Sequence, residues 1–231
     1  MDWWTPIDIY CERVGEAFWA EPWNALSNAS FIAAAVWGWV VARREKLLSP
    51  EIVIAILMAG LIGIGSFLFH TFATHWAELA DVIPIWSFVA YIVVLSIHKL
   101  GGSRWGHTLR VVGIAAAVMG GLFWLFSGPL ASDPGAAAPS PLNGSEQYAP
   151  ALVALWAFAL VGYWRGFAAR RWMLASALVF SASLVARTLD LMLCEIYPTG
   201  THWIWHGLNG LMIGLVLQSL LVSLIAMRAP R

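Results

Sequence analysis

Seven apolar stretches, each near the length that crosses a bilayer, leave this chain few alternatives to a helical membrane fold. A hydrocarbon core about 30 Å thick asks for roughly 20 apolar residues per α-helix, because lipid offers no partner to an unpaired backbone group. The stretches run at 25–42, 51–71, 79–98, 108–128, 149–167, 172–192 and 203–227. Charged residues make up 11% of the 231, against about 25% in a soluble domain. The formal net charge is zero, so there is no basic footprint for nucleic acid. No internal repeat is visible. The expectation is an all-α membrane protein, one seven-transmembrane-helix domain over residues 1–231.

Basic residues predict its direction. Arg43, Arg44 and Lys46 lie between the first two stretches, and Lys99, Arg104 and Arg110 around the next alternate connection. Arg165, Arg170 and Arg171 occupy the third, and Arg228 and Arg231 close the chain. The connections at 72–78, 129–148 and 193–202 contain neither Lys nor Arg. Basic loops stay cytoplasmic, which puts the amino terminus outside and the carboxyl terminus inside. Residues 1–24 then form an extracytoplasmic segment. The Pro-, Gly- and Ala-rich stretch from Gly128 to Tyr148 reads as an exposed outer loop. The acidic amino terminus lacks a basic region followed by an apolar core, so the spans themselves are expected to direct insertion. Many of the 15 Trp lie near the ends of apolar runs, where interface anchors sit.

This topology gathers a small polar set at one depth. His70 falls at the outer end of the second span, with Ser66 one turn deeper. Asp81 falls in the first turn of the third span. His202 and His206, four apart in HWIWH, share one helix face at the start of the seventh. Paired imidazoles at that spacing recur in zinc sites, and ionisable groups inside a membrane are costly and usually functional. A third histidine, a carboxylate and a hydroxyl would complete a hydrolytic zinc centre with an open water position.

Other polar residues have plainer readings. His75 reads as solvated, and His98 and His107 lie at the cytoplasmic end. Arg187 and Asp190, three apart, read as a structural ion pair on one helix face. Gly207 and Gly210 read as close-packing positions. Asp2, Asp8, Glu12, Glu16 and Glu21 read as a solvated acidic segment; calcium would need their oxygens to converge. Cys11 and Cys194 both fall outside, where a disulfide can persist, although two small buried residues that never meet is the open alternative.

Several stretches together resemble the alkaline ceramidases, within the superfamily of seven-span hydrolases that includes the adiponectin-type receptors. They are YCE at 10–12, AEPWNALSN at 20–28, GIGSFLFH at 63–70 with Asp81, DLMLCE at 190–195, and HWIWH at 202–206. The compact chain resembles a bacterial member. The resemblance implies zinc on His70, His202 and His206, with Ser66 and Asp81 as catalytic residues. It implies a calcium site onto which Asp8, Glu12 and Glu21 map, although Arg13 stands where further oxygen ligands would be expected. It also implies a Cys11–Cys194 disulfide. The expected activity is metal-dependent hydrolysis of the amide of ceramide or a related N-acyl lipid, releasing a fatty acid and a sphingoid base or amine. The expected partners are that lipid and the membrane itself, in a bacterial inner membrane with the site facing the periplasm. Two rivals stand beside it: a receptor-like protein with a structural metal, and a transporter using the histidines as a proton relay. The relay would want polar residues through the full membrane depth, whereas these gather at one end.

Overall fold

The computed structural model describes residues 2–100, 102, 104–126 and 142–228. Their regular structure is helical: α1 Pro22–Ser27, α2 Ala29–Arg44, α3 Pro50–Phe72, α4 His75–Leu100, α5 Trp105–Phe126, α6 Ala149–Trp164, α7 Arg170–Leu189 and α8 His202–Arg228. One isolated bridge joins Pro6 to Thr74. Six described segments have the length and apolarity to cross a membrane, α1 and α2 counting as one. With α5, at 22 residues, the helices match the seven expected stretches to within a few residues. Residues 127–141, most of the expected outer loop, lie outside the described residues; Ser145–Tyr148 form a 3₁₀ turn leading into α6.

Helix α8 packs against α7 on one side and α2 on the other, and α3 lies between α2 and α4. The largest buried cluster draws on α2, α3, α4 and α8, with Phe31, Ile56, Ile62, Phe88 and Leu217 among its members. In a bilayer such contacts gain little from leaving lipid, so close packing of small residues matters more. Gly65 of α3 is the sharpest instance: a Cβ there would overlap the Ala80 carbonyl of α4. Pro84, inside α4, has no N–H to give that same carbonyl four residues earlier. Helix α3 therefore closes on α4 one residue from both Ser66 and Asp81. Gly210 likewise lets α8 meet α2, since a Cβ would overlap Ser30. Gly207, expected to do the same, has nothing within 4 Å of the position a Cβ would take.

Candidate metal centre

Two elements bring the histidines together. His70 lies in the last turn of α3, and His202 and His206 lie on the first turns of α8. All three are buried, at 1%, 1% and 0% exposure. Ring centroids are 5.1 Å apart for His70–His202, 4.7 Å for His70–His206 and 4.5 Å for His202–His206. One ring nitrogen from each lies within 4.8 Å of the other two. Among the described residues, this is the cluster of ligand-type side chains whose atoms converge on one point.

Buried polar atoms normally find hydrogen-bond partners. Nε2 of His70, Nε2 of His206 and Nδ1 of His202 have none, nor do Ser66 Oγ and Asp81 Oδ1. Ser66 precedes His70 by one turn of α3, and Asp81 lies in the second turn of α4. Five orphaned groups at one end of a bundle fit a bound cation with an open position and a polar substrate group beside it. The sequence expectation for these five residues and the structure place them at the same end.

The far sides of two rings are held. His70 Nδ1 is 2.6 Å from Glu21 Oε2, a carboxylate–histidine contact that fixes which nitrogen faces inward. His206 Nδ1 is 3.0 Å from the Asn24 carbonyl and 2.8 Å from Ser27 Oγ. Glu21 is itself gripped by Arg13 and by the Asn24 side-chain amide at 2.9 Å. Burial alone would raise the Glu21 carboxyl, but the hydrogen bond to His70, with those to Asn24 and Arg13, holds it below the ordinary carboxylate range. Arg13 also donates to the carbonyls of Gly15 and His70, at 3.2 and 3.0 Å.

These contacts change the reading of the acidic segment. Glu12 and Glu21 are buried rather than solvated, and Asp8 is exposed. The Glu12 carboxylate accepts the backbone N–H of Trp23 and Asn24 at 2.7 and 2.8 Å, at the start of α1. Burial pushes its carboxyl up, against the pull of those two bonds. Two of the carboxylates expected to hold calcium, Glu12 and Glu21, are thus engaged by protein groups, the Arg13 guanidinium pairs with Glu21, and Asp8 stands apart at the surface. The residues present do not fit a calcium ion.

The expected Arg187–Asp190 pair is not formed. Asp190 instead accepts the backbone N–H of Cys11, Thr201 and His202 at 3.2, 2.7 and 2.9 Å. It satisfies donors at the amino-terminal end of α8, which a buried helix end requires. Gly200, with φ of +59°, lets the preceding turn wrap over that carboxylate, because a Cβ would overlap Asp190 and Cys11. Cys11 and Cys194 are disulfide-bonded, with Cα atoms 5.3 Å apart. Tyr10, next to Cys11, stacks on His202 at 3.7 Å. His75 lies 3.4 Å from Glu78 at the start of α4, apart from the cluster. His98 stacks on Trp105 at the opposite end.

Sequence reasoning missed Asn24, Ser27, Asp190 and Tyr10 as supports of the histidines. Asn24 and Ser27 fall inside the AEPWNALSN stretch, but their function needs α8 beside α1, which no local signal supplies.

Beneath the histidines an apolar cavity extends between α3, α4, α6, α7 and α8, lined by Ile62, Phe88, Leu155, Phe180 and Met212 among others. Its α8 wall runs from Trp205 to Ser219, about 21 Å at helical rise.

The fold and the cluster define a class: a helical multi-pass membrane protein whose three buried histidines could hold a metal ion at one end of the bundle. A family profile described as Ceramidase matches residues 8–130, more than half of the chain, and the chain belongs to that family. The matched part contains Ser66, His70 and Asp81; His202 and His206 lie beyond it. Membership implies a hydrolase acting on a lipid amide. Among curated proteins no match was found.

Proposed function

We propose that this protein is a zinc-dependent amidohydrolase that cleaves ceramide or a related N-acyl lipid, with the whole chain acting as one catalytic unit. The observation that carries the reading is the convergence of three buried imidazoles with unpartnered nitrogens beside unpartnered Ser66 Oγ and Asp81 Oδ1. Neutral imidazoles favour zinc among the common divalent ions, and His70, His202 and His206 would be its ligands. Such an ion supplies Lewis acidity and lowers the pKa of water toward neutrality.

The chain's own groups do the rest. Asp81 accepts a proton from the attacking water and returns it to the amine nitrogen as the C–N bond breaks. Ser66 donates a hydrogen bond to the carbonyl oxygen as negative charge develops there. Glu21, Asn24 and Ser27 hold His70 and His206 in register. The apolar cavity takes the acyl chain, and the histidines' place at a helix end suits an amide near the headgroup boundary. The products are a fatty acid and an amine. An apolar cavity running into the bundle favours this reading over a proton relay, which needs polar groups through the membrane.

We further propose that the histidine end faces out of the cytoplasm, in a bacterial inner membrane. The support is charge: Arg43, Arg44, Lys46, Lys99, Arg165, Arg170 and Arg228 all lie at the opposite helix ends. The decisive experiment is metal analysis of the purified protein with a panel of N-acyl lipids, scoring fatty acid release. About one zinc per chain and release abolished by chelator is the expected result. Metal-free protein that hydrolyses a panel lipid at full rate would exclude zinc dependence, and a metal-loaded protein inert on every amide would exclude the hydrolase.

A further inference from the structure

Arg187 is a buried cation, 6% exposed, near the carboxyl end of α7. Ion pairs among the described residues join Arg13 and His70 to Glu21, His75 to Glu78 and Lys99 to Glu51. Arg187 takes part in none of them, and Asp190 is committed to backbone donors. Asp81 is the acid whose charge reaches it, yet that carboxylate is not within 4 Å of the guanidinium. A charge buried in a membrane bundle with no carboxylate in contact is expensive and marks a functional position by default.

The surroundings cover part of the guanidinium and leave one edge. Its carbon lies 5.7, 5.5 and 5.5 Å from the ring centroids of Tyr10, Tyr148 and Trp205, so three aromatic faces share the charge. Nη1 donates to the Tyr10 hydroxyl at 3.1 Å. Nε is buried without a partner, and no acceptor among the described residues bonds Nη2. The residue bordering Nη2 is Gly144, where a Cβ would lie 3.4 Å away. The Nε–Nη2 edge is the side of arginine that grips a carboxylate or phosphate through two parallel hydrogen bonds.

The guanidinium stands one aromatic ring away from the candidate metal centre. Tyr10 and Trp205 touch Arg187 and also stack on His202, at 3.7 and 5.1 Å. Tyr148 and Trp205 line the apolar cavity as well. A lipid with its acyl chain in the cavity and its amide at the histidines would carry its amine portion past this cation.

We propose that the Nε–Nη2 edge of Arg187 binds an oxyanionic group on the amine portion of the substrate. The preferred lipid is then an N-acyl amino acid or similarly acidic N-acyl amine, rather than a neutral ceramide. The proposal deepens the hydrolase reading and rests on it. The reaction is unchanged: water adds across the amide, and the products are the fatty acid and an acidic amine.

Binding to the full chain in detergent tests this apart from turnover, using N-palmitoylglycine, its methyl ester and palmitate as probes. The acid should bind at least tenfold more tightly than the ester, and Arg187→Gln should erase the difference while Arg187→Lys retains part of it. Acid and ester bound within twofold by the wild-type chain would overturn the proposal without need of any variant. Preference for the acid that survives in Arg187→Gln would overturn it too. Palmitate bound as tightly as N-palmitoylglycine would overturn the assignment to the amine portion, placing the product carboxylate there instead. Preferential binding of the acid with no amide hydrolysed would sink the hydrolase and leave the anion site standing; ceramide hydrolysis without acid preference would do the reverse.

Discussion

Arg13 reaches the metal centre only through another side chain, which makes its contribution separable. It grips Glu21, and Glu21 holds His70 Nδ1. Partners of this kind are worth roughly 10- to 100-fold in metal affinity. Glu21→Gln and Arg13→Gln should each weaken zinc binding by that order in a chelator competition. The double variant should be no worse than Glu21→Gln alone, and additive losses would show that Arg13 acts by another route. The ligands and the proton acceptor separate in a different way. His70→Ala, His202→Ala and His206→Ala should each lose metal and hydrolysis together. Asp81→Asn should keep its metal and lose about 100-fold or more in turnover, the scale of a general base. Metal content set beside initial rates checks both, and a fully active Asp81→Asn would remove Asp81 from the mechanism.

At the scale of elements, the approach of α3 to α4 decides whether Ser66 and Asp81 share one site. Gly65 permits that approach and Pro84 leaves the facing carbonyl free of its usual helical donor. Gly65→Ala must move one helix against the other, and overpacking of this sort costs about 1–3 kcal/mol. The expected outcome is a lower thermal midpoint together with reduced turnover, while metal remains because the α3–α8 contact through His70 is untouched. Unaltered stability and turnover in Gly65→Ala would mean that the helices have room to spare.

For the whole molecule, the Cys11–Cys194 bond ties the amino-terminal segment to the connection leading into α8 across 183 residues of sequence. A loop of that size corresponds to roughly 5 kcal/mol in the chain-entropy model. Alkylation of the unreduced protein should modify neither cysteine, and reduction should lower the thermal midpoint and loosen Tyr10 from His202. Modification of both without reduction would rule the bond out. Orientation is tested on the same scale. With the native cysteines bonded, Glu146→Cys, at an exposed position before α6, should react with an impermeant thiol reagent on spheroplasts. Reaction only after permeabilisation would reverse the topology.

The helices and the depth of the site were legible in the residues alone, because a bilayer makes both local problems. Each span must satisfy its own backbone, so seven apolar runs of sufficient length suffice to place α2 to α8. His70, Asp81, His202 and His206 then share a depth by counting along alternating helices, and HWIWH puts two imidazoles on one face by helical period. What the tertiary structure decided lies in contacts between residues 177 to 182 apart, such as Arg187 with Tyr10 and His206 with Asn24. Arg187 and Asp190 looked like a pair because they are three apart at the end of one apolar run, yet each found a better partner elsewhere: aromatic faces for one, the start of α8 for the other. Glu12 and Glu21 looked solvated because acidic residues in a terminal segment usually are, and folding buried them against Arg13, α1 and His70. Spacing along one helix reports which side chains can meet. Which of them do meet depends on burial, since a desolvated charge or backbone donor takes whatever partner the packed bundle brings to it.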